Sequence, residues 1–206
     1  IDGHDGLAGL TSLVSFAALG YLCYRTGRHE YLAVFMLLVC LIAVFLAFNL
    51  SFVGKEKRVF LGDAGSMFLG LILVYFLVLL ADLSVPENFR GRQTVILKIT
   101  AAPWLIGLPL FDMFAAMTRR LLKMRSVFTA DRGHVHHRLT DLGYSKYFVV
   151  IVLTLIHTVF VMVGLAGTLL NWPDVVLFWP PFGILIVYLV YTNYREKKLL
   201  SKPWKL

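Results

Sequence analysis

Six stretches of this chain are too long and too apolar for a fold surrounded by water: Leu7 to Tyr24, Tyr31 to Leu50, Ala64 to Ala81, Val95 to Met117, Tyr147 to Leu170 and Val175 to Tyr191. A bilayer core about 30 Å thick is crossed by roughly 20 helical residues. Lipid offers no partner to a backbone N–H or C=O, so each stretch predicts a transmembrane helix, which satisfies its own backbone. Composition agrees. Of 206 residues 59% are hydrophobic and 16% charged, with a mean hydropathy of +0.77, whereas a soluble domain is about 25% charged. The expected fold is all-α, a polytopic helical membrane protein of about six transmembrane helices forming one domain over residues 1–206. Pro103, Pro109, Pro180 and Pro181 predict kinks or breaks in the fourth and sixth helices.

With six crossings, the N-terminus, the loops after the second and fourth helices and the C-terminal tail share one side. That side carries fifteen of the twenty Lys and Arg residues, from Lys55 to Lys205, against five on the other: Arg25, Arg28, Arg90, Arg92 and Lys98. The positive-inside rule makes the richer side cytoplasmic. The +8 net charge therefore reads as topology and contact with lipid headgroups; no nucleic-acid module accompanies it, and no nucleic-acid partner is expected. Cys23 and Cys40 lie in apolar runs and suit neither a disulfide nor a metal. The first residue is Ile1 and no signal peptide precedes the first apolar run, so the chain is expected to begin within a longer protein.

Three polar motifs fall on the cytoplasmic face: Asp2-Gly-His-Asp5, Gly62-Asp-Ala-Gly-Ser66 and His134-Val-His-His137. Asp63 opens the third helix, where free N–H groups favour an anion and a carboxylate can hold a hard cation. Mg²⁺ suits one well-placed Asp because it takes one or two carboxylates, keeps water and completes its shell with phosphate oxygens. An N-cap beside a glycine turn explains the same residues without chemistry. Asp2 and Asp5 read either as a turn and cap or as contacts for a sugar hydroxyl, a base edge or a metal-bound water. The segment from Asp131 to Arg138 offers Arg132, His134, His136 and His137; these read as donors to a diphosphate or as a solvated basic loop serving topology, of which clustered His are less typical than Lys and Arg, while the absence of nearby Cys argues against a closed zinc site. Asn49 reaches the same face or caps the second helix. Asp112, slightly inside the membrane, invites a functional role as a buried acid or else pairs with Arg119 or Arg120; His157 is expected to be a neutral hydrogen-bonded core residue, and Trp104, Trp172, Trp179 and Trp204 to pack or anchor the interface. Each motif alone is weak, and their joint placement at separate helix ends favours a shared site.

In these residues the sequence resembles the polyprenyl-phosphate N-acetylhexosamine-1-phosphate transferases. The resemblance rests on Ile1-Asp-Gly-His-Asp-Gly-Leu7, Val59 to Ser66, Pro109-Leu-Phe-Asp-Met113, Thr118-Arg-Arg-Leu121 and the His motif from Asp131 to His137, and runs from Ile1 to at least Gly143. It implies transfer of N-acetylglucosamine 1-phosphate from a UDP-sugar to undecaprenyl phosphate in a bacterial plasma membrane, with Mg²⁺, or alternatively Mn²⁺, as cofactor. It further implies that Asp63 holds the metal, that Asp2 and Asp5 line the nucleotide-sugar site as catalytic acids, that Arg132, His134, His136 and His137 contact the diphosphate, and that Asn49 contacts the nucleoside. Members of the family carry further helices and an Asp-Asp motif ahead of this region. The expectation is thus the C-terminal part of a larger enzyme, inactive alone, with a homodimer left open. The spaced His-x-His-His pattern resembles the N-acetylglucosamine branch more than the phospho-N-acetylmuramoyl-pentapeptide branch. A transporter would place ionisable groups near the bilayer midplane, and a non-catalytic scaffold would tolerate loss of Asp63.

Overall fold

The computed structural model describes residues 4–82, 97–122, 124, 126 and 134–200. Within them the apolar stretches become the helices α1 (Leu7–Thr26), α2 (His29–Asn49), α3 (Gly62–Asp82) and α7 (Lys146–Leu169), with two interrupted segments, α4 (Ala102–Leu105) with α5 (Gly107–Leu122) and α8 (Asp174–Phe178) with α9 (Pro180–Leu200). A short helix, α6 (Val135–Asp141), lies between α5 and α7. Among the described residues there is no strand. Five segments are long and apolar enough to cross a membrane: Leu7–Thr26, His29–Asn49, Gly62–Ala81, Lys146–Leu169 and Asp174–Tyr191.

The fourth expected crossing departs from a continuous helix. Its described part turns through residues 97–101, makes one turn of helix in α4, breaks at Ile106 and resumes in α5. Proline is the cause. Pro109 has no N–H, so the carbonyl four residues back, that of Leu105, has no helical donor. The hydroxyl of Ser15 on α1 donates to it at 2.7 Å. The last segment repeats the arrangement: Pro181 deprives the carbonyl of Leu177, and the indole Nε1–H of Trp104 donates to that oxygen at 2.7 Å. Each break is closed by a side chain from another helix, as lipid-embedded backbone demands. Trp104 therefore does more than pack.

α1 is the central element, with 56% of its span buried against 17% for α2 and 6% for the last crossing. It packs on α2, α3 and α7, while α4 and α5 rest on α7 and α9 lies against α5. Phe16, Leu19, Phe35, Leu77, Leu105 and Val161 join these helices in one core. Lipid tails are as apolar as these side chains, so close packing rather than exclusion of water holds the helices together. Gly164 permits it on α7: a Cβ there would stand 2.7 Å from Leu105 Cδ1 and 2.8 Å from Trp104 Cβ. A smaller core of Leu7, Leu108, Val149, Val150 and Leu153 lies under α6, against which Val135 and Leu139 pack. His157, the deep ionisable residue, is fully buried; its Nε2 lies 3.0 Å from Ser15 Oγ and 3.1 Å from the Thr11 carbonyl. Facing a carbonyl, Nε2 carries the ring proton. His157 is a packing residue, which removes the main support for a transport pathway.

Ser15→Ala leaves the Leu105 carbonyl without its donor, an expected loss of about 1–3 kcal/mol of stability for an unsatisfied buried group, read by unfolding in lipid bicelles. Pro109→Ala restores an N–H four residues beyond Leu105 and is expected to recover part of that loss in the Ser15→Ala background. The same substitution alone gains less, because Ser15 already serves the oxygen.

Candidate functional site

One cavity of about 280 Å³ lies where α1 begins, α2 ends and α3 begins. His4, Asp5, Asn49, Phe60, Gly62 and Asp63 line it, so residues from two of the three motifs and the end of α2 share one wall. Asp5 does not cap α1; Gly6 occupies that position without a side-chain cap, and the Asp5 carboxylate is paired with the Arg58 guanidinium. Arg58 also donates through Nε to the Asn49 carbonyl at 3.2 Å and stands 5.4 Å from the centre of the Phe60 ring. Asn49 is 3% exposed. Its Nδ2 donates to the Val59 carbonyl at 2.8 Å, while its Oδ1 is buried and has no partner among the described residues. A buried acceptor without a donor is costly.

Asp63 sits in the first turn of α3, after Gly62 at a φ of 66°. Only glycine adopts that left-handed backbone without strain, so the tight entry that puts Asp63 at the cavity mouth depends on it. Asp63 is exposed, and among the described residues nothing pairs with its carboxylate; the Ser66 hydroxyl donates instead to its backbone carbonyl at 3.1 Å.

The histidine motif joins this cavity through His4. The His4 ring stands 5.1 Å from His136, edge-on, and 6.3 Å from His137. His134 and His136 are stacked at 5.8 Å, and His136 and His137 lie 4.2 Å apart. Thr140 Oγ1 donates to the His136 carbonyl at 2.9 Å. The same hydroxyl therefore accepts from His4 Nε2 at 2.8 Å, which places the His4 proton on Nε2. Burial, followed by the neighbouring His137, holds the His136 pKa down from 6.5 to about 4, so that ring is neutral at pH 7; its Nε2 is buried and has no partner among the described residues.

Asp112 does not pair with Arg119 or Arg120. Both lie about two turns further along α5, roughly 10 Å away at 1.5 Å per residue, while α6 starts beside it. Oδ2 of Asp112 is 2.8 Å from His134 Nδ1 and Oδ1 accepts the Val135 N–H at 2.9 Å. Asp2, Arg132 and Trp204 lie outside the described residues. Of the other expected site residues, Asp5, Asn49 and Asp63 meet in the cavity, and His134, His136 and His137 form the adjoining ring cluster. Sequence reasoning passed over His4, Phe60 and Arg58. The first two stand inside the quoted motifs, and Arg58 directly precedes one, which was the available signal. Among the described residues no three of His, Cys, Asp and Glu come close enough together to hold a metal ion by themselves.

Known proteins resemble the chain over nearly its whole length. It is 33% identical over 206 residues to the undecaprenyl-phosphate alpha-N-acetylglucosaminyl 1-phosphate transferase of Yersinia pestis, covering 98% of this chain and 54% of that protein. The protein of the same name from Escherichia coli K12 is 31% identical, over 100% of this chain and 52% of its own length. That of Haemophilus influenzae is 33% identical over 187 residues, 90% of this chain and 49% of its own. The chain thus spans about half the length of the curated relatives it matches. No solved structure matches it. Residues 1–81, which hold the Asp5, Asn49 and Asp63 cavity wall, match the model of glycosyl transferase family 4.

Proposed function

We propose that this chain builds the cytoplasmic part of an active site that transfers N-acetylglucosamine 1-phosphate from UDP-N-acetylglucosamine to undecaprenyl phosphate at a bacterial plasma membrane. An oxygen of the lipid phosphate attacks the sugar-linked phosphorus. The bond from that phosphorus to the bridging oxygen breaks, UMP leaves with the oxygen, and undecaprenyl-diphospho-N-acetylglucosamine remains. The observation that carries the reading is the shared position of His4, which lines the cavity of Asp5, Asn49 and Asp63 and touches the histidine cluster. A nucleotide part and a diphosphate part then adjoin at one end of the helix bundle, where a water-soluble sugar nucleotide can meet a lipid headgroup. The names of the relatives describe the same transfer.

In this reading Phe60 and Asn49, which line the cavity, receive the base, since an aromatic surface and an amide suit a planar ring bearing hydrogen-bonding groups. Asp2 and Asp5 take the sugar nucleotide, and Arg132, His134, His136 and His137 take the diphosphate. Joining two anionic phosphates requires neutralisation and alignment. Asp63 fits Mg²⁺ as a hard oxygen donor without a competing partner among the described residues, with Asp5 lining the same cavity. Bound there, the ion would neutralise diphosphate charge. Mn²⁺, with the same preference for oxygen, would substitute.

Asp63→Asn in the complete protein is expected to lower UMP release from UDP-N-acetylglucosamine by on the order of a hundredfold or more, the several kcal/mol that charge neutralisation by a metal supplies. Equal rates for the two proteins would overturn the assignment. EDTA should abolish transfer and added Mg²⁺ restore it. A separate measurement concerns His136. Its folded pKa of about 4 lies below the unbound value of 6.5, so the unfolded chain takes up the proton first and stability falls as pH drops from about 6.5 to about 4. His136→Gln should make that acid loss shallower in thermal unfolding.

A further inference from the structure

We infer that Asp112 is a positioning residue for the transfer, locking His134 in the tautomer whose proton is on Nδ1. The inference rests on the transferase reading for its consequence and on the hydrogen bonds of Asp112 for the lock itself. Asp112 is 2% exposed, and each carboxylate oxygen has its own partner in α6 or at its cap: Oδ2 the His134 ring at 2.8 Å and Oδ1 the Val135 N–H at 2.9 Å. An ionised carboxylate only accepts hydrogen bonds, so the His134 Nδ1 must carry a proton. The lone pair of the neutral ring is then on Nε2. His134 keeps 32% of its side chain exposed while the carboxylate behind it keeps 3%, so the open edge of the ring is the one away from Asp112.

Two consequences follow from this fork. First, the pair of bonds ties the start of α6 to α5 and fixes the first ring of the adjoining series His134, His136, His137. Second, a proton taken up on Nε2, from water or from the acceptor phosphate, can be shared with a phosphate oxygen while the carboxylate at Nδ1 balances the added charge. His134 makes no bond to phosphorus in this step; it gains one proton and releases it with the products.

Asp112→Asn separates the two consequences. The Asn Oδ1 can still accept the Val135 N–H, but its Nδ2–H₂ is a donor and requires the lone pair at His134 Nδ1, which moves the ring proton to Nε2. A ring so reversed still donates to a phosphate but has lost its balancing charge. In the complete protein in lipid, kcat should fall on the order of tenfold to hundredfold and by a larger factor than KM for UDP-N-acetylglucosamine rises. In a His134→Ala background, Asp112→Asn should have little further effect, because the residue acts through His134. The ¹⁵N signals of His134 should show a protonated Nδ1 in the wild type and an unprotonated one in Asp112→Asn. An unchanged Nδ1 proton, or the same loss of kcat in both backgrounds, would overturn the inference. A wild-type protein without transferase activity whose Nδ1 still reverses on substitution would sink the transferase reading and leave the lock standing.

Discussion

The hydrogen bond from Ser15 to the Leu105 carbonyl is the interaction on which most of the arrangement depends. A lipid-embedded chain can change direction only where something replaces the backbone bond it gives up. Pro109 gives up one, and α1 returns it. The break at Ile106 lets α5 leave the line of α4, and α5 carries Asp112. Trp104 does the same for the last crossing by serving the carbonyl that Pro181 abandons. The prolines are therefore tolerated because two polar side chains on other elements stand opposite them, and the kinked segments become fixed rather than floppy.

The polar site lies at the opposite extreme of dielectric. Asp5, Asp63 and the open edge of His134 stand at helix ends, where water and headgroups can solvate charge, while Asn49, Asp112 and His136 are nearly closed off. The closed members hold the open ones in place. Asn49 and Arg58 tie the chain after α2 back onto that helix, and Asp112 ties α6 to α5. Such an inner layer of hydrogen-bonded polar groups restricts the rotamers of the groups that meet a ligand, which a surface cluster of lysines would not do.

Much of this was legible in the sequence where it depended on local chemistry. Twenty-residue apolar runs became α1, α2, α3 and α7, and Pro109 and Pro181 announced their breaks. The placement of Asp5, Asn49 and Asp63 together follows from counting crossings, since the start of α1, the end of α2 and the start of α3 fall at one end of the bundle. Long-range pairing was not legible. The Pro109 position reveals that the Leu105 carbonyl lacks a donor, but nothing in the spacing says that Ser15, ninety residues earlier, supplies it. Of the two readings Asp112 allows, pairing with Arg119 or Arg120 rests on opposite charges nearby in sequence; α6, which arrives only through the tertiary fold, offers better geometry. Nothing in the spacing assigns His4 a role, because its partner Thr140 lies 136 residues away.

That placement of His4 has a thermodynamic side. Its ring is at once a wall of the carboxylate cavity and a neighbour of the histidine stack, with one hydrogen bond to Thr140 fixing its plane. A ligand that orders the ring from one side pre-arranges it for the other, and linkage makes this influence equal in both directions. A ligand in either half would therefore meet the same imidazole.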